Sequence, residues 1–102
     1  MKANDVTVVR IYCSEAGDHY RSLLRILHDQ EQVAGVTAFR GIAGFGSHGR
    51  VHEAGLLDMS ADLPIIIEFF DRPEKAAAVI EHLKTRVAAG HMVSWSATLH
   101  LD

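Results

Sequence analysis

Between Leu63 and Phe70 the chain reads Leu-Pro-Ile-Ile-Ile-Glu-Phe-Phe, a run whose only charged side chain is Glu68. Successive side chains of a strand point to opposite faces, so this segment needs apolar cover above and below. Pro64 has no backbone N–H to give a ladder and suits the first position of pairing. Val6 to Cys13 (VTVVRIYC) is the second segment of this kind, rich in β-branched residues and apolar on both faces apart from Arg10. Two such strands belong in the middle of a sheet.

The remaining segments complete one order. After turn residues at 14–18, Tyr20, Leu23, Leu24 and Leu27 recur at i, i+3, i+4 and i+7, one helical stripe, with Arg21, Arg25, Asp29 and Glu31 on the other side. Gly35 is a helix stop. Val36 to Phe45 reads as a strand weakened by Gly41 and Gly44, which suggests a bulge or an edge position. The stretch from Gly46 to Asp62 reads as a loop. Asp71-Arg72-Pro73-Glu74 is a helix start, with Asp71 as cap and an acid three residues on. Ala76, Ile80, Leu83 and Val87 supply the buried stripe, and Gly90 ends that helix. Met92 to Leu101 alternates, with Val93, Trp95, Ala97, Leu99 and Leu101 on an apolar face where Trp95 is expected to pack in the core.

Strand, helix, strand, strand, helix, strand folds most simply, with right-handed crossovers, into a single ferredoxin-like α+β domain covering residues 1–102. Its antiparallel sheet carries both helices on one face. The first and third strands are then central, and their second apolar face is left uncovered. A monomer tolerates that poorly, so a homo-oligomer is expected.

Composition narrows the partners. A net charge of −3 with His neutral gives no global attraction to nucleic acid or to an anionic membrane. No window approaches the ~20 apolar residues of a membrane span, and no charged start leads into a long apolar run. Cys13 is the only cysteine, so an internal disulfide is excluded, and a cytoplasmic protein with an inert, buried thiol is expected.

The chemistry-bearing stretch is Arg40-Gly41-Ile42-Ala43-Gly44-Phe45-Gly46-Ser47-His48-Gly49-Arg50-Val51-His52. Glycine N–H groups can cradle an anion, and Ser47, His48 and Arg50 can donate to phosphate or carboxylate. No Gly-Lys-Ser/Thr follows and no helix pattern begins, which excludes a Walker A loop and a dinucleotide fingerprint. The competing reading is a structural bulge with a solvated loop. His48 and His52 are four apart, a metal spacing only on a helix that the flanking glycines disfavour. His82 falls off the apolar stripe of its helix, and His19, His28 and His100 read as surface positions. His91, after Gly90, stands at the last helix-to-strand turn, where it can approach a neighbouring copy. No catalytic set can be nominated; Asp58 and Asp62 read as caps and turn residues.

The same stretch, with Asp-Leu-Pro-Ile-Ile-Ile-Glu (Asp62 to Glu68) and Gly-His-Met-Val near the end, resembles the PII-like proteins of unknown function, relatives of the PII nitrogen signal-transduction proteins. The resemblance covers nearly the whole chain and implies a ferredoxin-like trimer. PII proteins bind adenine nucleotides and 2-oxoglutarate between subunits and touch transporters or enzymes through the loop after the second strand. Gly44-Phe45-Gly46 matches their entry into that loop, and Leu63-Pro64 resembles its return. This sequence continues with Ser47-His48-Gly49 where PII proteins have arginine-glutamine-lysine, and lacks the tyrosine some of them modify. It has Gly90-His91 where they have glycine-aspartate-glycine-lysine, and ends at Asp102 without their C-terminal extension. These differences point away from triphosphate and 2-oxoglutarate binding in the PII manner and toward a smaller nucleotide, such as a monophosphate, or another anion.

The sequence therefore predicts a trimeric, non-enzymatic, PII-like regulator with no cofactor or resident metal. Its ligand-binding residues would be Gly44, Phe45, Gly46, Ser47, His48, Arg50, Gly90 and His91, and its partner a protein of the transporter or channel kind. The alternatives are a dimeric α/β-barrel enzyme on the same subunit, or a metal-responsive binder using His48 and His52.

Overall fold

In the computed structural model, which describes residues 3–14, 19–45, 51–53 and 63–102, the two doubly apolar segments pair with each other in the middle of the sheet. β1 (Ala3–Ser14) runs antiparallel to β5 (Pro64–Asp71), with Val9 opposite Phe69 and Ile11 opposite Ile67. The edges are β2 (Gly35–Arg40) beside β5 and β6 (Met92–His100) beside β1, giving the order β2-β5-β1-β6. With α1 (His19–Arg25) and α2 (Pro73–Leu83) this is the ferredoxin-like α+β fold expected from the pattern.

The period of two sorts the core. Val9, Ile11, Ile65, Ile67 and Phe69 point to one side of the sheet and are buried under Leu23, Ile26 and Leu27 of the first helix and Ala76, Val79 and Leu83 of the second. α1 continues into a π-helical turn (Ile26–Gln30), closed by the Glu31 N–H donating to the Ile26 carbonyl. The wider turn lets the adjacent residues Ile26 and Leu27 both reach the sheet.

Several boundaries differ from the sequence reading. The expected strand through Phe45 is two strands: β2 stops at Arg40, and β3 (Ala43–Phe45) pairs with β4 (Val51–Glu53) in a separate small sheet. The stretch read as one loop thus contains a strand. Asp71 is not a helix cap. It is the last residue of β5, opposite Thr7 and buried, and Arg72 takes the N-cap position without a side-chain bond. The Asp71 carboxylate instead accepts the backbone N–H groups of Ala34 at 3.0 Å and Arg72 at 2.7 Å, with Lys75 Nζ 3.3 Å away. α2 ends at Leu83 rather than Gly90, because its last turn tightens: Lys84 N–H donates to Glu81 and Arg86 N–H to Leu83. Its most buried stripe passes through Val79, with Ile80 partly buried beside it.

Among the described residues, nothing covers the face of the sheet without helices. Tyr12, Phe39, Val93 and Trp95 stand on it with 39–48% of their surface exposed. Trp95 is therefore not a core residue, since among the described residues no second layer covers β6 on that side.

Candidate functional site

At one end of the sheet the chain leaves β2 and enters the glycine-rich segment. Gly41 N–H donates to the Pro64 carbonyl at 2.7 Å, the last rung of the β2–β5 ladder. A Cβ at Gly41 would lie 2.7 Å from Pro64 Cγ, so only glycine admits this approach. Beyond Ile42, which is 81% exposed, β3 pairs with β4, setting Gly44 opposite His52 and Phe45 opposite Val51. Gly44 and Phe45 thus belong to a short hairpin stem above Pro64. Gly46, Ser47, His48 and Arg50 lie outside the described residues. His52 sits in a strand, so a helical i, i+4 geometry does not extend to it.

Gly90 and His91 occupy the turn before β6. Gly90 has φ +85°, the left-handed conformation that glycine adopts without strain. The carbonyl of His91 accepts the Tyr12 N–H at 2.9 Å, which fixes the turn to the end of β1. The His91 imidazole is exposed, with Nδ1 3.3 Å from the Ala89 carbonyl. Both nominated segments therefore emerge at the same end of the sheet, but beside opposite edge strands. Three strand spacings of about 4.8 Å, roughly 14 Å, separate β2 from β6.

The other histidines have structural partners or none that suggest chemistry. His82 Nδ1 lies 3.0 Å from Glu31 Oε1, joining the two helices, and His19 Nε2 lies 2.9 Å from the Arg86 carbonyl oxygen. His28 is paired with Asp29, and His100 is exposed. Among the described residues no group of three or more His, Cys, Asp or Glu could hold a metal ion. Cys13 is half-buried, and burial pushes its thiol above the ordinary value, which lowers its reactivity at neutral pH. A shallow cavity of about 280 Å³ opens at the far end of the sheet beside Asn4, Val6, Phe70 and Leu99, away from every nominated residue.

One cluster escaped the sequence reading. On the open face the Arg10 guanidinium donates to Glu68 Oε1 through Nη2 at 2.7 Å and Nε at 3.1 Å. It also lies 5.6 Å from the Phe39 ring centre and 5.4 Å from that of Trp95. The Glu68 hydrogen bonds, and after them the Tyr12 hydroxyl, hold Arg10 above its ordinary value. The signal was available: Arg10 and Glu68 each interrupt an otherwise apolar run, and pairing places the two opposite each other.

A family model described as "Uncharacterized ACR", DUF190, matches residues 6–99. A UPF0166 protein of Methanocaldococcus jannaschii is 34% identical over 82 residues, which cover 74% of this chain and 73% of the relative. Another, of Aquifex aeolicus, is 28% identical over 81 residues, covering 76% and 77%. Among solved structures, CPII of Thiomonas intermedia K12 bound to ADP and bicarbonate superposes with a TM-score of 0.69 at 24% identity, over 96% of this chain and 89% of CPII. CutA1 of Oryza sativa superposes with a TM-score of 0.60 at 16% identity, over 98% and 84%. At these identities the structural likenesses speak to the fold. Together with the glycine-rich stretch and the Leu-Pro return, the match across both central strands and both helices places the chain in the DUF190 family of PII-like proteins.

Proposed function

We propose that this chain is a non-enzymatic, PII-like regulatory protein that assembles as a homotrimer and binds a small anion, an adenine nucleotide, in clefts between subunits. The observation that carries this reading is the placement of the two glycine segments: both are at one end of the sheet, on opposite edges. An edge of one copy brought beside the opposite edge of the next would join them into one cleft. The relationship supports the ligand class, because CPII of Thiomonas intermedia K12 has been solved with ADP and bicarbonate, and with ADP and AMP as well.

In this cleft the main-chain N–H groups around Gly44 to Ser47 contact the anion, as glycine-punctuated backbone does when no side chain blocks the approach. His48, Arg50 and His91 add side-chain donors. Ligand binding then sets the conformation of the following loop, and residues 51–57 are presented to a partner protein of the transporter or channel kind.

Calorimetry with AMP, ADP, ATP and cyclic AMP tests the ligand. The expected result is saturable binding of at least one of them with Kd well below ~1 mM, weakened about tenfold by Arg50→Ala or His91→Ala. Absence of saturable heat for every nucleotide up to millimolar concentration overturns the nucleotide reading.

A further inference from the structure

We propose that the cavity at the far end of the sheet is a binding site for the carboxylate end of an extended peptide, with the free edge of β1 supplying main-chain hydrogen bonds and Arg72 holding the carboxylate. The site shares no residue with the glycine segments, so it stands independently of the nucleotide reading.

The edge arises from unequal strand lengths. β5 ends at Asp71, opposite Thr7, and the chain then turns off into α2. β1 begins earlier, and Asn4, Asp5 and Val6 pair with β6 alone, opposite Leu99, Thr98 and Ala97. On the β5 side of these residues, alternate main-chain N–H and carbonyl groups meet no strand among the described residues. Such an edge is a template for an added strand. The cavity of about 280 Å³ lies against it, lined by Asn4 and Val6. That is small beside ligand pockets of about 300 Å³ and upward, and suits about two residues of a chain rather than a larger ligand.

Charge decides which end of a chain enters. Of the lining residues only Asp71, Arg72 and Lys75 are charged. Both Asp71 oxygens are in use: Oδ1 accepts the Arg72 N–H, and Oδ2 accepts the Ala34 N–H with Lys75 Nζ 3.3 Å away. The Arg72 guanidinium is exposed and has no hydrogen bond or ion pair among the described residues. One positive charge is therefore left over, which attracts a carboxylate and repels an ammonium group. A guanidinium can meet a carboxylate with two parallel hydrogen bonds.

The apolar part of the lining, Val6, Phe70 and Leu99, receives an aliphatic side chain of the final residue. Its walls are set in advance. The Phe70 ring lies against bare backbone, where a Cβ at Gly35 would come within 2.5 Å of Cε1. Lys75 ties down the α1–β2 connection by donating to the Gln32 carbonyl at 2.7 Å. A site already shaped costs little ordering on binding.

Acetyl-valyl-leucine with a free carboxylate, the same peptide as its carboxamide, and acetyl-leucine are the probes. Each is titrated into the isotope-labelled full chain and followed through the amide shifts in nuclear magnetic resonance spectra. The expected result is saturable shifts at residues 4–6, 32–34 and 70–75 with the free acid, with Kd below about 1 mM. The carboxamide, and the Arg72→Gln variant with the free acid, should each bind about tenfold more weakly or worse, as loss of a charged hydrogen bond requires.

No saturable shift up to about 10 mM overturns the site. Shifts confined to residues 41–45 and 90–91 overturn it as well, since the peptide then binds at the glycine segments. Acid and carboxamide bound alike overturn the role of Arg72 and the selection of a chain end. Acetyl-leucine bound as tightly as the dipeptide overturns strand addition, because the β1 edge then contributes nothing. If Arg72→Gln loses native structure, the comparison of acid with carboxamide on the unaltered chain decides the same point.

Discussion

Gly41 shows what one missing side chain can decide. Its N–H closes the β2–β5 ladder on the Pro64 carbonyl, and the Pro64 ring occupies the space a methyl group would need. Gly41→Ala should therefore lower stability by about 1–3 kcal/mol, as overpacking does, measured by urea denaturation. Pro64→Ala in the same chain should recover part of the loss. If the two effects simply add, the contact is not the cause. Gly44 is different, because a Cβ there would meet Pro64 Cγ at 3.4 Å, ordinary contact distance. The sequence marked both glycines alike, as signs of a bulge or edge. It could not show that one is demanded by a ring twenty-three positions later while the other is not, since that distinction exists only once β2 and β5 are paired.

Among the elements, the start of α2 is where local pattern and tertiary context compete. Asp71-Arg72-Pro73-Glu74 has the form of a capped helix start, and α2 does begin there, with Pro73 in its first turn. Asp71 itself is taken by the sheet: its backbone stays in β5, and its carboxylate turns to the α1–β2 connection at Ala34. Lys75 adds to the same junction, donating to the Gln32 carbonyl at 2.7 Å, where Gln32 has φ 52°, an unusual value for a residue with a Cβ. The buried carboxylate holds two backbone donors, so Asp71→Ala should cost about 2–3 kcal/mol by urea denaturation. Lys75→Met should cost under about 1 kcal/mol, because its side chain is nearly half exposed and water screens the pair. Equal losses for the two would mean that the ion pair, not the backbone bonds, holds the junction. The same competition explains the π-helical turn. The apolar spacing from Tyr20 to Leu27 was legible as a helix, but the widening that brings in Ile26 answers to the sheet beneath it.

For the whole molecule, the uncovered sheet face is the feature that remains to be satisfied. If apolar contacts with other copies cover it, assembly should weaken on cooling from 25 to 4 °C, because apolar association loses strength in the cold. It should change little between low and high salt, since the one ion pair of the face is internal to each copy. Sedimentation at both temperatures and several salt concentrations reads this directly; assembly that strengthens in the cold and dissolves in salt would point to polar contacts instead. The amino-acid sequence alone determined the number and order of the main strands and helices, the central place of Val6 to Cys13 and of Leu63 to Phe70, and the apolar character of both their faces. Those follow from periodicity and from the cost of exposing apolar surface, which are properties of each segment. Only the tertiary structure decided that the strand ending at Arg40 is followed by a separate hairpin, that Asp71 serves the sheet, that Trp95 faces outward, and that Arg10 and Glu68 meet. These depend on which residue lies opposite which, and register between strands is set by the packed sheet as a whole.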